Sequence, residues 1–168
     1  MQVDYVHAIQ LTRDNACTVA GLPDMMQDFK EVMCGTTPIV YYHTTFCMGD
    51  FYVSALLYQS TVFEGAPVMP LLLLLHEWRT TDNHELLFSW FRRLSAVTRV
   101  VCVADREASI TSAVRTALPD ASMVYCWNHI IGDVRVNNYR MVQLWCCSVM
   151  FLTGMLFNST DNISHIWT

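Results

Sequence analysis

The chain has 168 residues, of which 53% are hydrophobic and 15% are charged, and its formal net charge is −5 at pH 7. This length predicts one domain, or one domain with a tail, that can bury a substantial core. Because Lys30 is the only lysine, the composition excludes a basic face that could hold a nucleic-acid backbone by charge alone.

The seven cysteines are odd in number and scattered along the chain, and some fall inside predicted strands. This pattern favours reduced thiols in a nuclear or cytoplasmic protein over a disulfide framework. The amino terminus lacks the basic start and apolar run of a signal peptide. We therefore expect a protein of a reducing compartment.

Residues 1–37 are predicted to form an N-terminal segment with one short helix. Residues 1–17 show no clear period, so they fit either a strand or a loop. Pro23 and an apolar stripe at helical spacing predict a helix from Leu22 to Met33. Three strands are predicted next, a hairpin of Ile39–Phe46 and Phe51–Gln59 and then the apolar central strand Val68–Leu75.

Helices and strands alternate in the part of the chain that follows. Strand-helix-strand units of this kind require parallel pairing with a right-handed crossover. Three antiparallel strands followed by such units is the order of a ribonuclease H-like fold, so the sequence predicts a mixed sheet in the α/β class. The predicted elements are a helix at His84–Leu94, a strand at Val100–Val103, a helix at Glu107–Leu118, a strand at Met123–Tyr125 and the start of another helix.

Asp105 is the first candidate functional residue, because it directly follows a short buried strand. A carboxylate at that point lies at the carboxyl edge of an open α/β sheet, where such sheets bind ligands and carry out chemistry. The alternative is a structural role, in which Asp105 caps the amino terminus of the next helix.

Three stretches in this order resemble the transposase domain of Mutator-like elements, the MULE family of DDE transposases. They are HTTFCMGDFYVSALLYQ from His43, CVADREASITSAV around Asp105, and LPDASMVYCWNHI. The third stretch contains the family's Cys-x-x-His pattern, which ends at His129. The resemblance covers about Pro38 to Val134. It implies a domain at 38–135, with 1–37 before it and a divergent hydrophobic tail at 136–168.

The resemblance implies phosphoryl transfer on DNA with Mg²⁺ or Mn²⁺ held by three carboxylates. Asp105 would be the second acid, but His43 stands at the position of the first. Imidazole suits zinc, copper or iron, whereas magnesium prefers oxygen ligands. We therefore expect His43 to be non-functional as a magnesium ligand and no such ion to be bound productively.

The third acid of the family has no counterpart, since no glutamate follows Glu107 and the helix that would carry it is absent. Glu107 could lie near the site, although favourable charge in the first turn of a helix is its other role. Asp50 is close to His43 in sequence, but a turn residue is the simpler interpretation. We expect a transposase-like domain that cannot catalyse transposition.

Cys126 and His129 form a second candidate constellation. In the family this pair lies near the catalytic centre, which implies a structural or active-site role. A thiolate and an imidazole at a strand-helix junction could share a metal with Asp105, but a structural zinc site needs four ligands. The alternative is two satisfied core side chains.

The segment from Met141 to Phe157 contains no charged residue and follows Arg135 and Arg140. Its length is at the lower limit for crossing a bilayer, so it predicts either an apolar helix packed on protein or a membrane anchor.

Three functions remain open at this stage. The first is an inactive MULE-like remnant, with DNA as the family partner although the acidic composition disfavours it. The second is a domesticated module that contacts protein or DNA on the same fold. The third is a small protein that residues 141–157 anchor in a membrane.

Overall fold

Seven strands and three helices build the part of the chain that the computed structural model describes, namely residues 5–33, 37–97, 99–127 and 129–131, with the backbone alone at 45–48. The chain divides into two units, 1–129 and 130–168, and every strand and helix described here belongs to the first. In chain order the elements are β1 Val6–Leu11, β2 Ala16–Gly21, α1 Pro23–Val32, β3 Ile39–Met48, β4 Phe51–Gln59, β5 Val68–His76, α2 Thr81–Ser95, β6 Val101–Ala104, α3 Ala108–Ala117 and β7 Ser122–Tyr125.

All seven strands join one mixed sheet, in the order β1-β2-β5-β4-β3-β6-β7. The first five strands of that order pair antiparallel, whereas β3 pairs parallel with β6, and β6 with β7. Helix α3 connects β6 to β7, and α2 carries the chain from β5 to β6 at the other side of β3. Parallel pairing needs such long connections, because a tight turn can only return the chain antiparallel. The α/β class with a mixed sheet is thus confirmed.

Local sequence explains where the helices begin and end. Pro23 occupies the first turn of α1, where its missing N–H leaves no hydrogen bond unmade. The Thr80 side chain accepts a hydrogen bond from the Asn83 backbone N–H and so caps α2. The left-handed residue Ala96 ends that helix, with φ of 58°. Because of the Thr80 cap, α2 begins before the predicted start at His84.

The core lies between one face of the sheet and the helices. Val40, Leu72 and Leu74 face it from the strands, and Phe29 and Phe88 face it from α1 and α2, all of them almost completely buried. The neighbouring β5 residues Leu73 and Leu75 are 40% and 38% exposed. The apolar strand β5 is therefore central in the sheet, as predicted, yet its side chains alternate between the core and the other face.

The N-terminal segment contributes two strands to the same sheet. The sequence left a strand or a loop open for residues 1–17, and the structure places β1 and β2 there, with β2 continuing to Gly21. Cys17 and Val19 of β2 are buried in the core that also contains β4 and β5. Mixed polarity hid these strands, since β1 is mostly exposed and only β2 alternates.

Gly21 is expected to be the least replaceable residue of β2. A Cβ there would lie 2.6 Å from Leu72 Cδ2 and 2.8 Å from the backbone oxygen of Leu71. The Leu72 side chain can rotate away, but the Leu71 backbone oxygen cannot. Gly21→Ala should therefore lower the free energy of unfolding by about 1–3 kcal/mol. Urea unfolding monitored by circular dichroism measures this loss, and an unchanged midpoint would contradict the close packing of β2 on β5.

The prediction of an apolar helix or a membrane anchor falls on residues 141–157, which lie outside the described residues. The same holds for the region where the family carries the third acid on a helix. Within the described ranges, none of the helices has the length and apolar character needed to cross a bilayer.

Candidate functional site

The pairing of β3 with β6 brings His43 and Asp105 opposite each other. In the parallel register, Val40 pairs with Cys102 and Tyr41 with Val103. His43 lies two residues beyond Tyr41, and Asp105 lies two residues beyond Val103. Because side chains alternate along a strand, both residues leave the sheet at the same height and on the same face. Two candidates that are far apart in sequence therefore share one sheet edge.

His129 completes this cluster from the far side of Asp105. Its Nε2 lies 3.9 Å from Asp105 Oδ2, and its ring centre lies 5.2 Å from that of His43. The chain reaches this position because β7 pairs with β6 up to Tyr125, and the Cys126 N–H then donates to Ala104 O at 2.7 Å. We call His43, Asp105 and His129 the edge cluster.

The electrostatics of the edge cluster favour neutral imidazole at His43. Partial burial lowers the pKa of His43, and electrostatic interaction with His129 and Arg79 lowers it further. The carboxylate of Asp105 acts in the opposite direction on the same pKa. Because burial outweighs the carboxylate, the net effect lowers the pKa and so favours the neutral ring, whose free lone pair a base or a metal ligand requires.

Glu107 pairs its charge with that of Arg79. It is the N-cap residue of α3, and its carboxylate forms an ion pair with Arg79 and accepts a hydrogen bond from Ser109 Oγ at 2.7 Å. Arg79 also lies over the Tyr52 ring, 5.9 Å from its centre. Glu107 is thus near Asp105 in sequence but already engaged.

Asp50 sits beside Gly49 in the exposed turn between β3 and β4, as its turn-residue interpretation predicts. Gly49 adopts a φ of +63°, the left-handed conformation that this turn needs. The structure therefore gives Asp50 a turn position at the end of the β3–β4 hairpin.

Cys126 serves the fold through its backbone N–H, and its thiol is half-buried. Within the described ranges, no group of three His, Cys, Asp or Glu side chains is arranged, as it stands, to hold a metal ion. A site made of Asp105, Cys126 and His129 therefore stays a prediction.

A layer of buried polar side chains lies on the face of β3 opposite the edge cluster. This layer was not predicted from the sequence. Tyr42 Oη and His84 Nδ1 are 2.6 Å apart, and Ser54 Oγ lies 2.9 Å from His76 Nε2. Ser54 Oγ also lies 2.7 Å from Thr44 Oγ1. The only sequence signal was polar residues at alternating positions of strands that otherwise read as apolar.

Burial disfavours the protonated form of both histidines of this layer. It lowers the pKa of His84 to about 3 and also lowers that of His76, and the positive charge of Arg79 acts in the same direction on both. His84 Nε2 is buried without a hydrogen-bond partner among the described residues. The layer is thus a structural element that cannot take up protons without cost.

Comparison of the chain with protein-family models and with curated protein sequences returned no match.

Proposed function

We propose that this chain is a degenerate ribonuclease H-like domain related to MULE transposases, which has lost metal-dependent DNA transposition. The sheet order supports the fold assignment. Strands β3, β4 and β5 pair antiparallel in succession, and β6 and β7 then add to the free side of β3 in parallel. This is the arrangement expected for three antiparallel strands followed by strand-helix-strand units. Strands β1 and β2 extend the edge beyond β5.

The observation that carries the proposal is the position of His43 across from Asp105. The family resemblance puts the first and second acids on these two neighbouring strands, and the register of β3 on β6 brings the two positions to one height. A histidine at the first position leaves a single carboxylate in the edge cluster. Under this proposal the sheet keeps the first two acid positions side by side, while the residue at the first position no longer supplies a carboxylate.

The Mg²⁺ or Mn²⁺ pair of the family does not fit these residues. Two imidazoles and one carboxylate supply too little negative charge to hold two hard dications close together, and magnesium prefers oxygen ligands. Glu107, the carboxylate nearest to Asp105 in sequence, is paired with Arg79 and so is engaged elsewhere. A phosphoryl-transfer step through two such ions is therefore not part of the proposed function.

A nicking assay on supercoiled DNA tests the proposal. We expect the unmodified chain to show no Mg²⁺- or Mn²⁺-dependent nicking above the level of Asp105→Asn purified in the same way. His43→Asp places a carboxylate at the position of the first acid. It tests whether the histidine at that position alone accounts for the loss of nicking activity. Metal-dependent nicking by the unmodified chain that disappears in Asp105→Asn would refute the proposed loss of activity.

The partners and location belong to the same proposal. DNA is the partner that the family relationship suggests, and the net charge of −5 with a single lysine disfavours it. A module that contacts other proteins is the second candidate, because apolar side chains stay exposed on the strands, notably Ile9 at 62% and Leu11 at 75%. A nuclear or cytoplasmic protein is consistent with either role.

A further inference from the structure

The edge cluster brings three potential metal-binding side chains together from three different elements. His43 comes from β3, Asp105 directly follows β6, and His129 lies four residues beyond the end of β7. The pairing of β3 with β6 fixes the relative placement of His43 and Asp105, and His129 follows the strand that pairs with β6. Their side chains are only partly buried and are free to adjust.

The distances within the cluster are close to those of a single metal centre. Asp105 Oδ2 and His129 Nε2 are 3.9 Å apart, whereas two ligands on one tetrahedral zinc lie about 3.4 Å apart. Imidazole rings on such an ion have centres about 5 Å apart, and those of His43 and His129 are separated by 5.2 Å. Small side-chain rotations would therefore direct the donors to a common point.

The surroundings leave the donors available. Arg79 is paired with Glu107, and the Arg106 guanidinium lies over the Tyr125 ring, 5.9 Å from its centre. Asp105 Oδ1 accepts the Arg106 backbone N–H at 2.6 Å, which leaves Oδ2 toward His129. His129 faces this oxygen with Nε2, so that nitrogen is the one available to an ion between the two side chains.

We propose that His43, Asp105 and His129 form a binding site for one borderline divalent cation, of which Zn²⁺ is the prototype. Two imidazole nitrogens and one carboxylate are typical ligands of zinc and of similar transition metals, and they select against Mg²⁺. Three protein ligands leave the fourth position of the ion open to water or another small ligand. This inference rests on the geometry of the edge cluster and not on the relationship to transposases.

Cobalt binding by the full chain tests the site directly. After chelator treatment and in the presence of reductant, the protein is titrated with Co²⁺, whose visible absorption reports tetrahedral or five-coordinate nitrogen and oxygen ligands. We expect one Co²⁺ per chain, displaced by stoichiometric Zn²⁺ and not by a large excess of Mg²⁺. If the chain binds no Co²⁺, or if Mg²⁺ displaces Co²⁺ as readily as Zn²⁺ does, the proposal is overturned.

Variants separate this site from adventitious binding to thiols. His43→Ala and His129→Ala should each weaken Co²⁺ binding by at least about tenfold, with circular dichroism showing that the fold is kept. Cys126→Ala is the matched control and should leave affinity and spectrum unchanged. An intense thiolate charge-transfer band that Cys126→Ala removes, with both histidine variants binding normally, would assign the ion elsewhere and refute the site.

The conservative variants His43→Asn and His129→Asn replace the alanine variants if either of those unfolds. The result is independent of the nicking assay. If the chain binds no Co²⁺, the proposed relationship to transposases is unaffected. If the chain nicks DNA with Mg²⁺, the proposed loss of transposition activity is refuted, but a zinc-type site is not.

Discussion

Phe29→Ala is expected to lower the free energy of unfolding by about 3–5 kcal/mol. Phe29 projects from α1 into the core, where it has no exposed surface. Its ring centre lies 5.4 Å from that of Tyr58 on β4 and 5.6 Å from that of Phe91 on α2. The substitution removes apolar burial and also leaves a cavity between three elements, so both losses add. Urea unfolding followed by tryptophan fluorescence measures the change.

Phe63→Ala is the matched control for this substitution. Phe63 lies in the loop before β5 and is 49% exposed, so its removal should cost less than about 1 kcal/mol. Phe29→Leu keeps most of the apolar volume and is expected to fall between the two. Equal losses at Phe29 and Phe63 would show that α1 does not pack into the core shared by β4 and α2.

Acidification from about pH 7 to about pH 4.5 is expected to remove about 2–3 kcal/mol of stability through His84 alone. In the folded chain burial holds the pKa of His84 at about 3, whereas the ordinary value is 6.5. Between these values the unfolded chain binds a proton that the folded chain refuses. Stability is therefore full above about pH 6.5 and is lost progressively as the pH falls toward 3.

A double variant isolates the contribution of His84. Tyr42→Phe combined with His84→Leu removes both partners of the 2.6 Å hydrogen bond and leaves neither buried group alone. Urea midpoints measured across the pH range should fall less steeply in this variant than in the unmodified chain. Some slope remains, because the pKa of His76 is lowered as well. Identical slopes in both proteins would exclude His84 as the source of acid sensitivity.

Elements with a strong local pattern were predictable from the sequence. The apolar stripe and Pro23 located α1 nearly to the residue. The strands β4, β5 and β6 were predicted because a short run of apolar residues is enough to indicate a buried strand. By contrast, β1 carries mixed side chains on an exposed edge of the sheet, and its strand depends on pairing with β2. Periodicity has no information about a partner strand, so that region stayed open.

The candidate site shows the same division. Asp105 was singled out because it follows a buried strand, His43 from a resemblance of short motifs, and Cys126 with His129 from their spacing. Their relation to one another depends on the register of β3 on β6, which no local pattern encodes. Arg79 was not singled out at all, because its role depends on an ion pair with Glu107 from a different loop.

The sequence by itself determined the composition of this protein and the kinds of ligand it can offer, since residue type sets charge, hydrogen-bonding capacity and metal preference. It also determined most helices and strands, because their periods are local. Only the tertiary structure decided that β1 and β2 join the sheet, that His84 is buried beside Tyr42, and that His43, Asp105 and His129 meet at one edge. These outcomes depend on pairing between residues far apart in the chain, where packing and strand register, and not local preference, set the free energy.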